Sequence, residues 1–292
     1  MGKVECVAPT GCVMGKAPLW SPSDGYLWWT DAPRAKLHRY NPRTTNTRRY
    51  DLPLRTSAMA LSKGSLIMAG DRELGIYDTE TEAYERRFTL DAEPEGNRVN
   101  AGGMALNGGF WFATMDADEA ALSGNIYCLS SSGALETTRI DPVRIPNAFC
   151  FAPDGETFYF SDTAEQEILA FDHDPQTGVL TDRRVFASTA KAGSYPQGSA
   201  IDSDGFLWNA QWAGSRVVRY APDGSIDKVI ELPVSRPTDC VFGGEDLKRL
   251  FITTARAGLG DRALDRQPMA GCLFAIDVDI SGHPIPEWQN TY

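Results

Sequence analysis

The sequence predicts an all-β chain folded as one six-bladed β-propeller with a central pocket, and three observations carry that prediction. A unit of strand, glycine-containing turn and aromatic or β-branched strand recurs six times along residues 1–292. Small residues follow the leading polar position of most copies. Long stretches of helical periodicity are absent.

Taken in order, the first copy runs from Lys16 to Gly25 and on to Trp29-Thr30-Asp31. In the second, Thr56 precedes Gly64 by eight positions, and the following strand ends at Asp71. The third repeats that offset from Asn100 to Gly108 and ends at Thr114-Met115-Asp116. The fourth joins Asn147 to Gly155 and continues through Thr157 to Asp162. In the fifth, Gln197 leads to Gly205 and the strand runs from Phe206 to Ala210, ahead of Gln211-Trp212. Thr238 opens a sixth copy with a different turn, which ends at Thr253-Thr254-Ala255-Arg256.

The residues after these leading positions are Ala17, Ser57, Ala101, Ala148 and Gly198, with Asp239 the exception. Small side chains let strands crowd together, as the innermost strands of a propeller must when they converge on an axis. Repeat spacings of about forty to fifty residues suit four-stranded blades. An open ring would leave edge strands exposed, so Val4-Glu5-Cys6-Val7 is expected to pair with the last blade.

Hairpin geometry then locates a site. The residue starting the first strand and the residue ending the second lie at the same end, away from the turn. One end therefore gathers an inner ring (Lys16, Thr56, Asn100, Asn147, Gln197, Thr238) and an outer ring drawn from the second-strand ends. Polar groups converging at the mouth of a closed scaffold define the expected ligand site. The other end, with its Asp-Gly turns, is expected to be structural.

Composition narrows the function. With 42% hydrophobic and 23% charged residues the chain has an ordinary globular composition, and no segment approaches a membrane span. A net charge of -11 argues against nucleic acid as a partner. The start of the chain, Met1-Gly2-Lys3-Val4-Glu5-Cys6, lacks a secretion signal, which gives a cytoplasmic expectation. Six cysteines without paired C-x-x-C spacing read as buried free thiols. His38, His173 and His283 form no catalytic trio and are expected on outer strands or the surface. Phosphate loops and Ser-centred nucleophile elbows are missing from the sequence.

Several segments resemble the gluconolactonase, regucalcin and senescence-marker-protein family over nearly the whole chain. They are Pro18-Leu19-Trp20, Asn97-Arg98-Val99-Asn100 with Trp111-Phe112-Ala113-Thr114-Met115, and Pro146-Asn147 through Pro153-Asp154-Gly155. Later come Pro196-Gln197-Gly198 with Asp202, and Arg236-Pro237-Thr238 with Phe242-Gly243-Gly244. The order and spacing of these pieces carry the likeness. It implies a divalent cation on the propeller axis that polarises a lactone carbonyl. The implied ligands are a Glu before the first-blade Pro, an Asn in the fourth blade, and an Asp after Pro in the fifth that also acts as base.

This chain keeps only the middle ligand. Lys16 stands at the Glu position, Asn147 matches, and Gln197 replaces the Asp. Hard divalent cations prefer carboxylate oxygens. An ammonium about 4 Å from such an ion would repel it by roughly 8 kcal/mol at an effective dielectric of about 20. The expectation is therefore no metal cofactor, with Lys16 taking the cation's place.

Lys16, Asn147, Gln197 and Asp239 are the candidate catalytic residues, with Asp239 the compensating carboxylate. Asn97, Arg98, Asn100, Met115, Trp212 and Arg256 are the candidate substrate contacts; the likeness gives Arg98 its role. Three readings stand open. One is an enzyme acting on a sugar-acid lactone or a related cyclic or keto sugar derivative, by hydrolysis, isomerisation or elimination. The second is a module that only binds an anionic metabolite. The third is a metal-dependent lactonase with Asn147, Asn100 and Asp239 as a rebuilt ligand set.

Overall fold

Each of the six repeats folds as a four-stranded antiparallel sheet in the computed structural model, which describes residues 2–138 and 142–289. The innermost strands are Gly15–Ser21, Thr56–Ser62, Asn97–Met104, Pro146–Phe151, Tyr195–Ile201 and Pro237–Gly243. Each contacts the innermost strand of the next blade, and the last contacts the first, so the ring is closed. The architecture is a six-bladed β-propeller.

Closure uses both ends of the chain. Glu5–Ala8 forms the outermost strand of the sixth blade and pairs antiparallel with Leu273–Asp277. This is the pairing expected of the Val4 to Val7 segment, and it covers the edge of Leu273–Asp277.

Alternation explains how the sheets stack. Second strands such as Tyr26–Asp31 and Phe110–Asp116 are buried on both faces between blades, whereas outer strands such as Tyr84–Thr89 are largely exposed. The core lies in the wedges between blades. Between blades three and four, for example, Trp111, Phe149, Phe151, Phe158 and Phe160 form one aromatic cluster. Full burial of one such side chain contributes about 1.5–3 kcal/mol. The turn glycines take left-handed φ values, +78° at Gly155 and +80° at Gly205, which a residue without Cβ adopts at little cost.

A β-bulge interrupts every innermost hairpin beside its ring position, between Lys16 and Leu19, Asn147 and Cys150, or Pro196 and Ser199, for example. Ala17 and Ala148, the residues after Lys16 and Asn147, sit at φ +49° and +59°. Such a conformation costs an L-residue roughly 1–2 kcal/mol. A small side chain here thus serves a strained bulge that turns the preceding residue toward the axis, as well as crowding.

Other expectations meet the structure at particular residues. All six cysteines are free thiols, with Cys12, Cys150, Cys240 and Cys272 buried and Cys6 and Cys128 half-buried. His38 and His173 are buried rather than surface groups: His38 stacks on Trp29, and His173 meets Trp111 and Phe151 edge-on. Among the described residues no helix is long and apolar enough to cross a membrane.

Candidate functional site

A cavity of about 550 Å³ opens at the end of the axis away from the blade turns. Four of the six inner-ring residues line it, namely Lys16, Asn100, Asn147 and Gln197. Thr56 and Thr238 do not: Thr56 is fully buried against the Met68 sulfur, and Thr238 shares a hydrogen bond of 2.9 Å with Thr253. Ser57 represents the second blade instead.

The floor is organised by a bond that crosses the axis, since blades one and four face each other in a six-membered ring. Lys16 Nζ, on a residue only 5% exposed, donates to Asn147 Oδ1 at 2.9 Å. Asn147 Nδ2 in turn donates to Thr163 Oγ1 at 2.8 Å, and Thr163 donates to the Pro196 carbonyl at 2.7 Å. Burial pulls the Lys16 ammonium down to about 8, while the charge of Asp239 works in the opposite direction.

The wall of blade three is built the same way. Arg98 Nη1 donates to Asn100 Oδ1 at 2.9 Å, and Asn100 Nδ2 donates to the Pro146 carbonyl at 2.9 Å. Gln197 stands at the cavity with its side-chain amide making no hydrogen bond to the described residues. Trp212 closes another side, with the Arg236 guanidinium stacked 4.6 Å from its ring centroid.

Asp239 has a different place. Its carboxylate accepts the Cys240 N–H at 2.9 Å, and it lies so close to Gly198 that a Cβ there would overlap it. It lines a second, smaller cavity of about 130 Å³ that approaches the axis from the turn end. Burial pushes its carboxyl up to about 7, against the pull of the Lys16 charge and of nearby backbone N–H groups. Lys16 and Asp239 are thus stacked along the axis, one facing each end.

Three further residues singled out in the sequence are not brought to the upper cavity. Asn97 is buried in a knot of its own, donating to Glu93 Oε2 at 2.7 Å and to the Ser123 carbonyl at 2.9 Å. Met115, the register partner of Arg98, is completely buried. Arg256 is exposed beyond the bridge between Met14 and Ala255, where the chain turns outward, and its N–H bonds the Cys12 and Val13 carbonyls.

The outer-ring carboxylates also turn away. Asp31 accepts the Val13 and Met14 N–H groups, and Asp162 accepts those of Arg144 and Ile145. Asp71 accepts the Arg55 N–H at 3.0 Å and its guanidinium. Each fastens the segment leading into its own blade.

Sequence reasoning passed over part of the rim: Arg55, Glu119, Arg144 and Tyr195 also line the cavity. A signal for some of it was available. Side chains two apart on a strand share a face, and the residues two before each lining ring position (Met14, Arg98, Ile145, Tyr195) all line the cavity. Glu119 has no such marker, because it sits in the loop between Asp116 and Ser123.

The Asn147 amide oxygen already accepts an ammonium and the Asn100 amide oxygen a guanidinium. The one remaining carboxylate near the floor, Asp239, faces the other cavity. Among the described residues no group of three or more His, Cys, Asp or Glu is arranged to hold an ion.

A six-bladed propeller with a polar axial cavity at the end away from its turns is the scaffold of a small-molecule site. Residues 14–256 match the family described as the SMP-30/Gluconolactonase/LRE-like region. The chain belongs to that family. It is 34% identical to regucalcin of Oryctolagus cuniculus over 292 residues, covering 97% of both chains. It is 33% identical to the L-arabinolactonase of Azospirillum brasilense, covering 99% of this chain and 97% of that one. The pentonolactonase of Haloferax volcanii is 32% identical, with 96% of each chain covered. Among solved structures, a calcium-binding protein, regucalcin, from Agrobacterium tumefaciens superposes with a TM-score of 0.93 at 30% identity, covering 99% of this chain and 97% of that one.

Proposed function

We propose that the upper cavity is the active site of a hydrolase acting on a sugar-acid lactone or a related cyclic sugar derivative, with the Lys16 ammonium in place of a metal. The observation that carries this reading is the buried Lys16 held across the axis by Asn147. A fixed positive charge in a site shielded from water stabilises a developing oxyanion far better than an exposed one. Asn147 holds the ammonium in place, and Gln197 offers an unpartnered amide to a substrate oxygen. Arg98, braced by Asn100, orients carboxylate or hydroxyl oxygens. Relatives named as a pentonolactonase and an L-arabinolactonase support a sugar lactone as substrate.

The test is calorimetric titration of chelator-treated protein with calcium, zinc, manganese and iron(II), with hydrolysis of an aldonolactone panel followed in the same samples. Turnover without stoichiometric metal is the expected result. Tight metal binding that restores lost activity would overturn the lysine reading and return the reaction to a metal-dependent form.

A second reading rests on the charge of the cavity. Lys16, Arg55, Arg98 and Arg144 line it with Glu119 as the single carboxylate, in a chain of net charge -11. A protein that only holds an anionic metabolite would use the same cations. Saturable binding of an aldonate without hydrolysis of any lactone favours it.

A further inference from the structure

Replacement of the family's fifth-blade Asp by Gln197 leaves open which group accepts a proton from the attacking water. Candidates are few. Among the residues lining the cavity there is no His and no Cys, and Glu119 is the only carboxylate. Asp239, the other carboxylate acting on Lys16, belongs to the cavity of the turn end. Lys16 itself is engaged as a donor to Asn147.

The loop that carries Glu119 is fastened at both ends. Asp116 accepts the N–H groups of Ala120 at 3.0 Å and Ala121 at 2.8 Å, and the Ala117 N–H bonds the Gly96 carbonyl. At the far end Ser123 and Asn97 are doubly bonded, Ser123 Oγ donating to Asn97 Oδ1 at 2.8 Å while Asn97 Nδ2 donates to the Ser123 carbonyl. Asn97 is anchored in turn by the buried Glu93, which also accepts from Asn125 and Tyr127. Between these fastenings Glu119 adopts φ +60°, a conformation that L-residues with a side chain seldom take. Its negative charge acts on both Lys16 and Arg98.

The geometry points to Glu119 as the general base of lactone hydrolysis in this chain, a role that rests on the hydrolase reading above. The carboxylate takes a proton from water as the water oxygen bonds to the lactone carbonyl carbon. The carbonyl electron pair moves onto oxygen beside the Lys16 ammonium. Collapse of that adduct breaks the ring C–O bond, and the proton returns from Glu119 to the departing ring oxygen. The product is the open-chain hydroxy acid, which releases one proton to solvent as it ionises. Asn97 and Ser123 are positioning residues that act through the loop.

The experiment compares wild type, Glu119→Gln and Glu119→Ala on D-glucono-1,5-lactone and a pentonolactone, above the uncatalysed rate. Glu119 is exposed, so both variants are expected to fold, and thermal melts confirm it. Loss of a general base lowers kcat by about 10²-fold or more with KM little changed. Added formate restores part of kcat in Glu119→Ala and none in Glu119→Gln, where the amide fills the space. A rise in KM at unchanged kcat would make Glu119 a substrate contact and overturn the assignment, as would kcat unaltered in both variants. Wild type that hydrolyses no lactone would overturn the hydrolase reading and this role with it; wild-type turnover with unchanged variants sinks the role alone.

Discussion

The two ends of the propeller axis are made from the same six strands, yet they differ in chemistry. Where the innermost strands begin, they present Lys16, Asn100, Asn147 and Gln197 to a cavity of about 550 Å³. Where they finish, they present Leu19, Met59, Met104, Phe151, Ile201 and Phe242 around one of about 130 Å³. The tail crosses beneath this second end. Asp202 bridges to Gly282, Pro284 to Pro286 line the small cavity, and Trp288 bonds the Leu61 and Ser130 carbonyls from a buried position. The bulges separate the two halves, because each offsets the strand register just after the ring position. One strand can therefore serve binding at one end and packing at the other.

The sharpest way to break this contrast is to remove the charge from the open end. Lys16→Met keeps the length of the side chain and deletes the ammonium. Loss of one oxyanion-stabilising group typically lowers kcat by about 10²–10³-fold, or roughly 2.7–4 kcal/mol. Steady-state kinetics on an aldonolactone read the effect, and a variant that binds less tightly at full kcat would assign Lys16 to binding instead.

The sealed end should behave oppositely. Trp288→Ala removes a buried indole from the cluster it shares with Leu74, Met104 and Phe112, and is expected to cost about 3 kcal/mol of stability. Urea unfolding measures that loss, while kcat/KM at 25 °C stays at the wild-type value. A fall in kcat comparable with the fall in stability would mean that the tail reaches the reaction, contrary to the separation of the two ends.

These two experiments also mark what the sequence could and could not reveal. The repeat from Lys16 to Thr238, the turn glycines and the closing strand near Cys6 were legible, because each follows from a local rule of strand and turn geometry. So was the set Lys16, Asn100, Asn147 and Gln197, which shares one register position. The orientation of Asp239 was hidden: it adjoins the ring in sequence, but the bulge between Pro237 and Asp239 places it with the turn-end cavity. Asn97 adjoins Arg98 in sequence and still misses the cavity, since strand neighbours alternate in direction, and Met115, opposite Arg98 on the next strand, is completely buried. Glu119 was invisible for another reason. It depends on a loop held locally by Asp116 and by Asn97, whose bonds to Ser123 join residues far apart in the repeat.

Asp239 lies between the two ends and offers the smallest and most diagnostic effect. Its folded-state carboxyl is raised from 3.8 to about 7, chiefly by burial. The native state therefore holds a proton that the unfolded chain has released between roughly pH 4 and pH 7. Stability from this group falls as pH rises through that window, the reverse of a salt-bridged surface carboxylate. Asp239→Asn has no such proton to lose. Its stability relative to wild type should thus improve from pH 4.5 to pH 7. The substitution also removes the charge that raises the Lys16 ammonium, so Lys16 loses its proton at lower pH than in wild type. The alkaline limb of kcat/KM should move down the pH scale in the variant. Parallel unfolding profiles with an unmoved alkaline limb would show that the two ends of the axis are electrostatically independent.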